Sequence, residues 1–281
     1  MNDKHRTGLD IKPGQSEALL KELHILTQDG KINQDSRRKL KQVYHLYQFI
    51  EPLLKEVHGD GRGISLVDHG AGKSYLGFIL YDLFFKSLND GSHIYGIEAR
   101  EELVGKSQAL AKKFGFSGMS FLHAAVADSI ESEALPPSVD IVTALHACDT
   151  ATDDAIRFAL KKQARFVALV PCCQAEVASV LNRTKGAALA KDALSEVWRH
   201  ALHTREFGSH VTNVLRCLQL EAHGYQVTVT ELVGWEHSMK NELIIARYKD
   251  TPRKQAAKRL DDVLQTLGLE EMRTRFFVPA T

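Results

Sequence analysis

Three features of the sequence predict an α/β fold built on a largely parallel sheet. From Ser65 onward, short apolar runs alternate with longer segments of helical spacing: "ISLVDHG", "HIYGIEA", "SFLHAAVAD", "VDIVTALHA" and "RFVALVPCC". Such alternation is the signature of strands joined by right-handed helical crossovers. The last two runs, "YQVTVTELV" and "NELIIARY", are joined only by the short stretch "GWEHSMKN". That is too short for a crossover helix, so the two strands form an antiparallel pair at one edge. The first 60 residues contain two helical patterns and no strand pattern.

In "GQSEALLKELHILTQDG", Leu19, Leu20, Leu23 and Leu26 recur at helical spacing, and the helix is expected to stop at Gly30. A second helix follows in "NQDSRRKLKQVYHLYQFIEPLLKEVHGDGRG", with Asp35 or Ser36 as its cap and Leu40, Val43, Tyr44, Tyr47 and Ile50 or Leu54 as its buried stripe. Pro52 is expected to kink or restart it, and Gly59, Gly61 and Gly63 mark a boundary. "DTPRKQAAKRLDDVLQTL" reads as a terminal amphipathic helix. The expected organisation is a helical extension over 1–60, an α/β domain over 61–250, and a helix and tail over 251–281.

The 281 residues are 44% hydrophobic and 25% charged, an ordinary globular composition. A formal net charge of +1 sets up no global field for nucleic acid, so any basic surface must be local. Cys148, Cys172, Cys173 and Cys217 sit in or beside apolar runs, two of them adjacent. That layout suits a reducing cytoplasm rather than a disulfide framework. The start, "MNDKHRTGLDIKPGQ", reads as no secretory leader, and no run approaches bilayer length. A soluble, cytoplasmic protein without membrane contact is expected.

Gly72-Lys73-Ser74 carries the letters of a phosphate-binding loop. A P-loop needs a glycine five positions before the Gly-Lys pair, where this chain has Val67, and a dinucleotide loop needs one three after Gly72, where it has Tyr75. What remains is Asp68 at the end of the first strand, Gly70-Ala71-Gly72 after it, and Glu98 at the end of the second strand. Singly, Asp68 reads equally as a helix cap and Glu98 as a solvated strand end. Together they suit a ligand with an ammonium and a ribose but no phosphate, and S-adenosylmethionine is one. Lys73 and Ser74 are expected to begin the next helix, its N–H groups facing the methionine carboxylate.

On "VDHGAGKSYLGFIL", "IYGIEAR" and the closing strand pair, the chain resembles the class I, seven-stranded S-adenosylmethionine-dependent methyltransferases over residues 60–250. The resemblance implies a Rossmann-like sheet in the order 3-2-1-4-5-7-6 with strand 7 antiparallel. It also implies that Asp68, Gly70, Gly72 and Glu98 bind the cofactor, with Asp128 in "HAAVAD" beside the adenine. More narrowly, "LHACDTATDDAI" and "LVPCCQ" are similar to a subgroup that includes tRNA 2′-O-methyltransferases with a C-G-x-A-T-D run and a double cysteine. Asp149 stands where that subgroup has glycine, and the N-terminal part has no zinc-finger spacing.

In such a sheet the acceptor sits beyond the carboxyl ends of strands 4 and 5. That edge carries His146, Cys148 and Asp149 from one strand and Cys172, Cys173 and Gln174 from the other, while "GWEHSMKN" brings Trp235, His237, Lys240 and Asn241. Asp149, His146 or Lys240 could remove the acceptor's proton, and His146 reads equally as a buried structural group. The double cysteine has three readings: a nucleophile for pyrimidine C5 chemistry, a zinc site with Cys148 and His146, or small apolar residues closing a strand. The candidate catalytic set is His146, Asp149, Cys172, Cys173, His237 and Lys240, with no metal assigned.

Two basic runs bear on partners. Arg37, Arg38, Lys39 and Lys41 alternate with Tyr44 and Tyr47, whose faces could stack bases, and Arg253, Lys254, Lys258 and Arg259 form the second run. Each reads also as a solvated helix face. The expected function is S-adenosylmethionine-dependent methylation of RNA, with tRNA implied by the subgroup. A protein or small-molecule acceptor, and a non-catalytic cofactor-binding scaffold, stay open.

Overall fold

The computed structural model describes residues 11–31, 33–145, 147–172, 174–184, 193–232, 242–251 and 254–276. Seven strands form one sheet: β1 (Ser65–His69), β2 (His93–Glu98), β3 (Met119–His123), β4 (Ile141–Ala144), β5 (Phe166–Leu169), β6 (Tyr225–Glu231) and β7 (Glu242–Tyr248). Their order is β3-β2-β1-β4-β5-β7-β6, as expected, and β7 alone runs antiparallel to its neighbours. Asp68 lies level with Gly96 and Thr143, and Ala144 with Leu169, so the carboxyl ends of β1, β2, β4 and β5 share one edge.

The helices that follow the first strands are α3 (Tyr75–Leu83), α4 (Glu101–Phe114), α5 (Val126–Ser129) and α6 (Thr150–Lys161). After β5 come α7 (Glu176–Thr184) and α8 (Ala201–Ala222). Helix α3 is buried from Leu76 to Asp82 because its sequence is apolar nearly all round. Gly208 in α8 lies so close to α7 that a Cβ there would stand 2.7 Å from the Ala178 nitrogen, which is what a glycine at this crossing permits. The closing helices α9 (Lys254–Thr266) and α10 (Arg273–Phe276) share a buried cluster with α7 and α8 around Trp198, Leu215, Leu260 and Phe276.

The N-terminal segment differs from the sequence reading in three places. Helix α1 covers Glu17–Glu22 and does not reach Gly30. His24 takes a left-handed φ of 54°, and the turn buries Ile25, which a continued helix would carry off the stripe of Leu20, Leu23 and Leu26. Helix α2 (Gln34–His58) is capped by Asn33, whose side chain accepts the Ser36 N–H at 2.8 Å, and not by Asp35 or Ser36. Pro52 leaves α2 unbroken. Its ring is exposed, so the Gln48 carbonyl it deprives of a donor faces water, while Ile50, Leu53, Leu54 and Val57 hold the helix on the core. The predicted stripe is buried as read at Leu40, Tyr47, Ile50 and Leu54.

Both ends of this segment are tied down. The Ser16 N–H donates to buried Asp82 at 2.7 Å, and Lys86 donates to the same carboxylate at 2.8 Å. At the other end Glu56 accepts from Arg165 and Arg247, at the amino edge of β5 and the end of β7. The first turn of α2 lies toward the opposite edge. Ser36 donates to the His24 carbonyl at 3.2 Å, and His24 lines one groove with Lys73 and Tyr75 beside the glycine loop.

Candidate active site

The glycine loop follows β1 directly. Gly70 and Gly72 have φ of 63° and 59°, the left-handed region where a side chain is strained. Helix α3 starts at Tyr75, two residues later than expected. Lys73 lies in the turn, and Ser74 is an N-cap at φ 52° whose side chain caps nothing. Its hydroxyl is buried and unpartnered.

Asp68 is 3% exposed and looks sideways into the sheet, where the Thr143 hydroxyl of β4 donates to it at 2.7 Å. Burial pushes its carboxyl up to about 7, against the opposing pull of that hydrogen bond. Its neighbour His69 is fully buried on the other face, edge-on to Phe158 with centroids 4.5 Å apart, and burial pushes it down to about 3. Glu98 faces the loop: one oxygen accepts the Gly72 N–H at 2.7 Å, and the other accepts the Arg100 backbone at 3.0 Å and its guanidinium at 2.8 Å. Burial works to raise the Glu98 carboxyl, but these donors outweigh it and hold the group below its ordinary value. Asp128 is exposed in the first turn of α5, after β3.

These residues fit the ligand that the loop's sequence suggests. A left-handed glycine pair stands beside a carboxylate whose two oxygens accept from Gly72 and Arg100, a small polar turn at the carboxyl ends of β1 and β2; the buried Ser74 hydroxyl lies over Gly77 inside α3 and takes no part in it.

The acceptor side is held differently. Arg216 of α8 is wholly buried and donates to both oxygens of Asp153 in α6, at 2.6 and 3.1 Å, to Asn213 at 3.3 Å, and to the Asp149 carbonyl at 2.8 Å. Asp149 caps the start of α6 at φ 52° and ψ −120°, an unusual conformation for a non-glycine, and one of its carboxylate oxygens accepts the Ala175 N–H at 3.1 Å. Asn213 in turn accepts from Gln174 at 2.9 Å and donates to Glu242 at 2.8 Å. The turns after β4 and β5 therefore meet α6, α8 and β7 in one hydrogen-bond network centred on buried Arg216. Beside it opens a cleft of about 480 Å³, lined among others by Gln174, Ser209, His210, Asn213, Glu231 and Glu242.

Cys148 is exposed and its Sγ lies 3.1 Å from that of half-buried Cys172, so the structure brings together thiols from the ends of β4 and β5. Among the described residues no group of three or more His, Cys, Asp or Glu could hold a metal ion. His146, Cys173, Trp235, His237, Lys240 and Asn241 lie outside the described residues, as do Arg253 and the side chains of Asp35, Lys39 and Lys254.

Base stacking by the tyrosines of α2 is not supported. Tyr47 is 4% exposed, and the Tyr44 hydroxyl donates to Gln15 while Lys12 sits over both rings. Burial also raises the Tyr47 hydroxyl to about 12. These rings were read as both core and contact surface; packing makes Tyr47 core and leaves Tyr44 half-buried against it. In the C-terminal basic run, Lys258 pairs with Asp262 and Arg259 with Glu221, a solvated helix face.

Sequence reading missed Thr143, Arg100, Asp153, Asn213 and Arg216. An arginine inside the apolar stripe "VTNVLRCLQL" was the one local signal for the network.

A family model described as a methyltransferase domain matches residues 38–180, half of the chain. Among solved structures, magnesium protoporphyrin IX methyltransferase from Synechocystis PCC 6803, with S-adenosylmethionine bound, is 12% identical, with 85% of this chain and 100% of that one covered at a TM-score of 0.45. A methyltransferase from Podospora anserina with S-adenosylhomocysteine bound is 11% identical, with 85% and 89% covered at 0.47. An rRNA methylase from Streptococcus thermophilus is 10% identical, with 66% and 88% covered at 0.39. A search of curated proteins found no match.

Proposed function

The chain belongs to the methyltransferase-domain family, and from that premise we propose that it is an S-adenosylmethionine-dependent methyltransferase whose acceptor is RNA. Glu98 would take the ribose hydroxyls and the loop from Gly70 to Gly72 would wrap the methionine portion, while Asp68, turned to Thr143, would hold the base of that loop. The cofactor supplies a methyl group activated by its sulfonium. The chain's part is to hold an acceptor atom in line with that methyl and to accept the proton the acceptor releases. The Asp153–Arg216–Asn213 network fixes the turn that carries Asp149.

The observation that carries the RNA reading is the position of the first turn of α2. Arg37, Arg38 and Lys41 follow Ser36, whose hydroxyl donates to the His24 carbonyl, and His24 lines a groove with Lys73 and Tyr75 beside the glycine loop, which supports this reading. Charge at that edge suits a phosphate backbone whose reacting nucleotide enters the crevice. The test is methyl transfer from labelled S-adenosylmethionine into total RNA, with the wild type and a triple variant, Arg37→Glu, Arg38→Glu and Lys41→Glu. Nuclease-sensitive label that falls at least tenfold in the variant and fades steeply with salt, with cofactor affinity unchanged, supports the reading. Label that resists nuclease or ignores salt removes it.

A second reading, a small cationic or amine acceptor, is favoured by the cleft itself. Glu206, Glu231 and Glu242 line it and would repel phosphate while attracting an amine. The same assay decides, since label would then appear in the small-molecule fraction and transfer would be largely indifferent to salt.

A further inference from the structure

We propose that Cys148 and Cys172 form a reversible disulfide that locks together two turns of the acceptor edge and leaves the cofactor half untouched. Their sulfurs are 3.1 Å apart, about 1 Å more than a bonded pair. The approach follows from topology. Ala144 and Leu169 are paired across neighbouring parallel strands, so the segments that carry Cys148 and Cys172 leave the sheet side by side. Cys148 is exposed and is the thiol an oxidant meets first; Cys172 is half-buried behind it. Cys217, by contrast, is raised to about 12 by burial and lies on α8, outside this pair.

The oxidant is a peroxide. Its O–O bond breaks as the Cys148 thiolate takes one oxygen, giving a sulfenic acid and a hydroxide that takes up the proton released by the thiol to become water. The Cys172 thiolate then attacks that sulfur, the S–S bond forms and the S–O bond breaks, and hydroxide leaves and is protonated to a second water. Two thiols are oxidised, one peroxide is reduced to two waters, and a dithiol reductant reverses the exchange. The bond adds a covalent tie between the turn carrying Asp149 and the turn carrying Gln174, which already meet through the Ala175 N–H on Asp149. Asp68 and Glu98 lie in β1 and β2 and Gly70 and Gly72 in the loop after β1, none of them in the linked turns.

The experiment uses the full reduced chain with stoichiometric hydrogen peroxide, followed by intact mass, an unreduced peptide map and calorimetry with S-adenosylmethionine. The expected result is a mass lower by two hydrogens and a link between the Cys148 and Cys172 peptides. That link survives Cys173→Ser and is lost in Cys172→Ser, and cofactor affinity changes less than twofold and is insensitive to added reductant. Four results would overturn the proposal: stable addition of oxygen to Cys148, a link that passes through Cys173 instead, a metal ion released on oxidation, or a tenfold loss of cofactor affinity in the oxidised form.

Discussion

The two halves of the carboxyl edge are built on opposite plans. The cofactor half is assembled from residues close in sequence: Asp68, Gly70 and Gly72 in one turn, with Glu98 and Arg100 two residues apart at the next strand's end. The acceptor half is assembled from residues far apart: Arg216 reaches Asp153 across 63 positions, and Asn213 reaches Glu242 across 29. A half made of local turns can be read and altered locally. A half made of a buried long-range network links stability to the placement of acceptor groups.

The largest expected effect breaks that network. Asp153→Ala leaves Arg216 buried without its partner and should destabilise the fold by roughly 3–5 kcal/mol, read from urea unfolding. Replacing both, Asp153→Leu with Arg216→Met, should recover most of that stability. Cofactor binding should persist while methyl transfer falls, because the Asp149 carbonyl loses its donor. If the double variant transfers methyl normally, the network does not position the acceptor side.

In the cofactor half, Glu98→Ala removes hydrogen bonds to a charged acceptor worth roughly 1.5–3 kcal/mol, so S-adenosylmethionine should bind about 10 to 100 times more weakly by calorimetry. Unchanged affinity would sever Glu98 from the cofactor.

The neighbours Asp68 and His69 predict a pH signature. Asp68 titrates near 7 when folded, above its ordinary 3.8, so its contribution to stability is present at low pH and lost as pH rises toward 7. His69 titrates near 3 when folded, below its ordinary 6.5, so its contribution is present above 6.5 and lost as pH falls. Between 3.8 and 6.5 the two slopes oppose each other, and the wild type should be comparatively flat. Asp68→Asn leaves only the histidine slope, and stability should then climb with pH by up to about 1.4 kcal/mol per unit. Equal slopes for wild type and variant, from denaturant midpoints across that window, would refute the assignment.

The smallest effect concerns Arg100, whose exposed guanidinium competes with any ligand for Glu98. Such a pair is worth about 0–1 kcal/mol, so Arg100→Ala should tighten cofactor binding by no more than about fivefold. Weaker binding would mean that Arg100 contacts the cofactor instead of competing for its partner.

Period and turn chemistry let the sequence alone determine the alternation of strands and helices, the antiparallel closing pair, and the loop from Asp68 to Gly72, since each depends on neighbours within a few residues. The stripe of α2 was legible for the same reason. Tertiary structure alone decided where α1 stops, because burying Ile25 with Leu26 outweighs continuing a helix, and whether Tyr47 is surface or core, because its helix lies flat on other side chains. It also decided that Asp68 faces Thr143, that Arg216 is the hub of the acceptor side, and that Cys148 meets Cys172. Each of those contacts joins elements that only sheet order brings together, and local sequence carries no record of which distant residue will close a buried hydrogen bond.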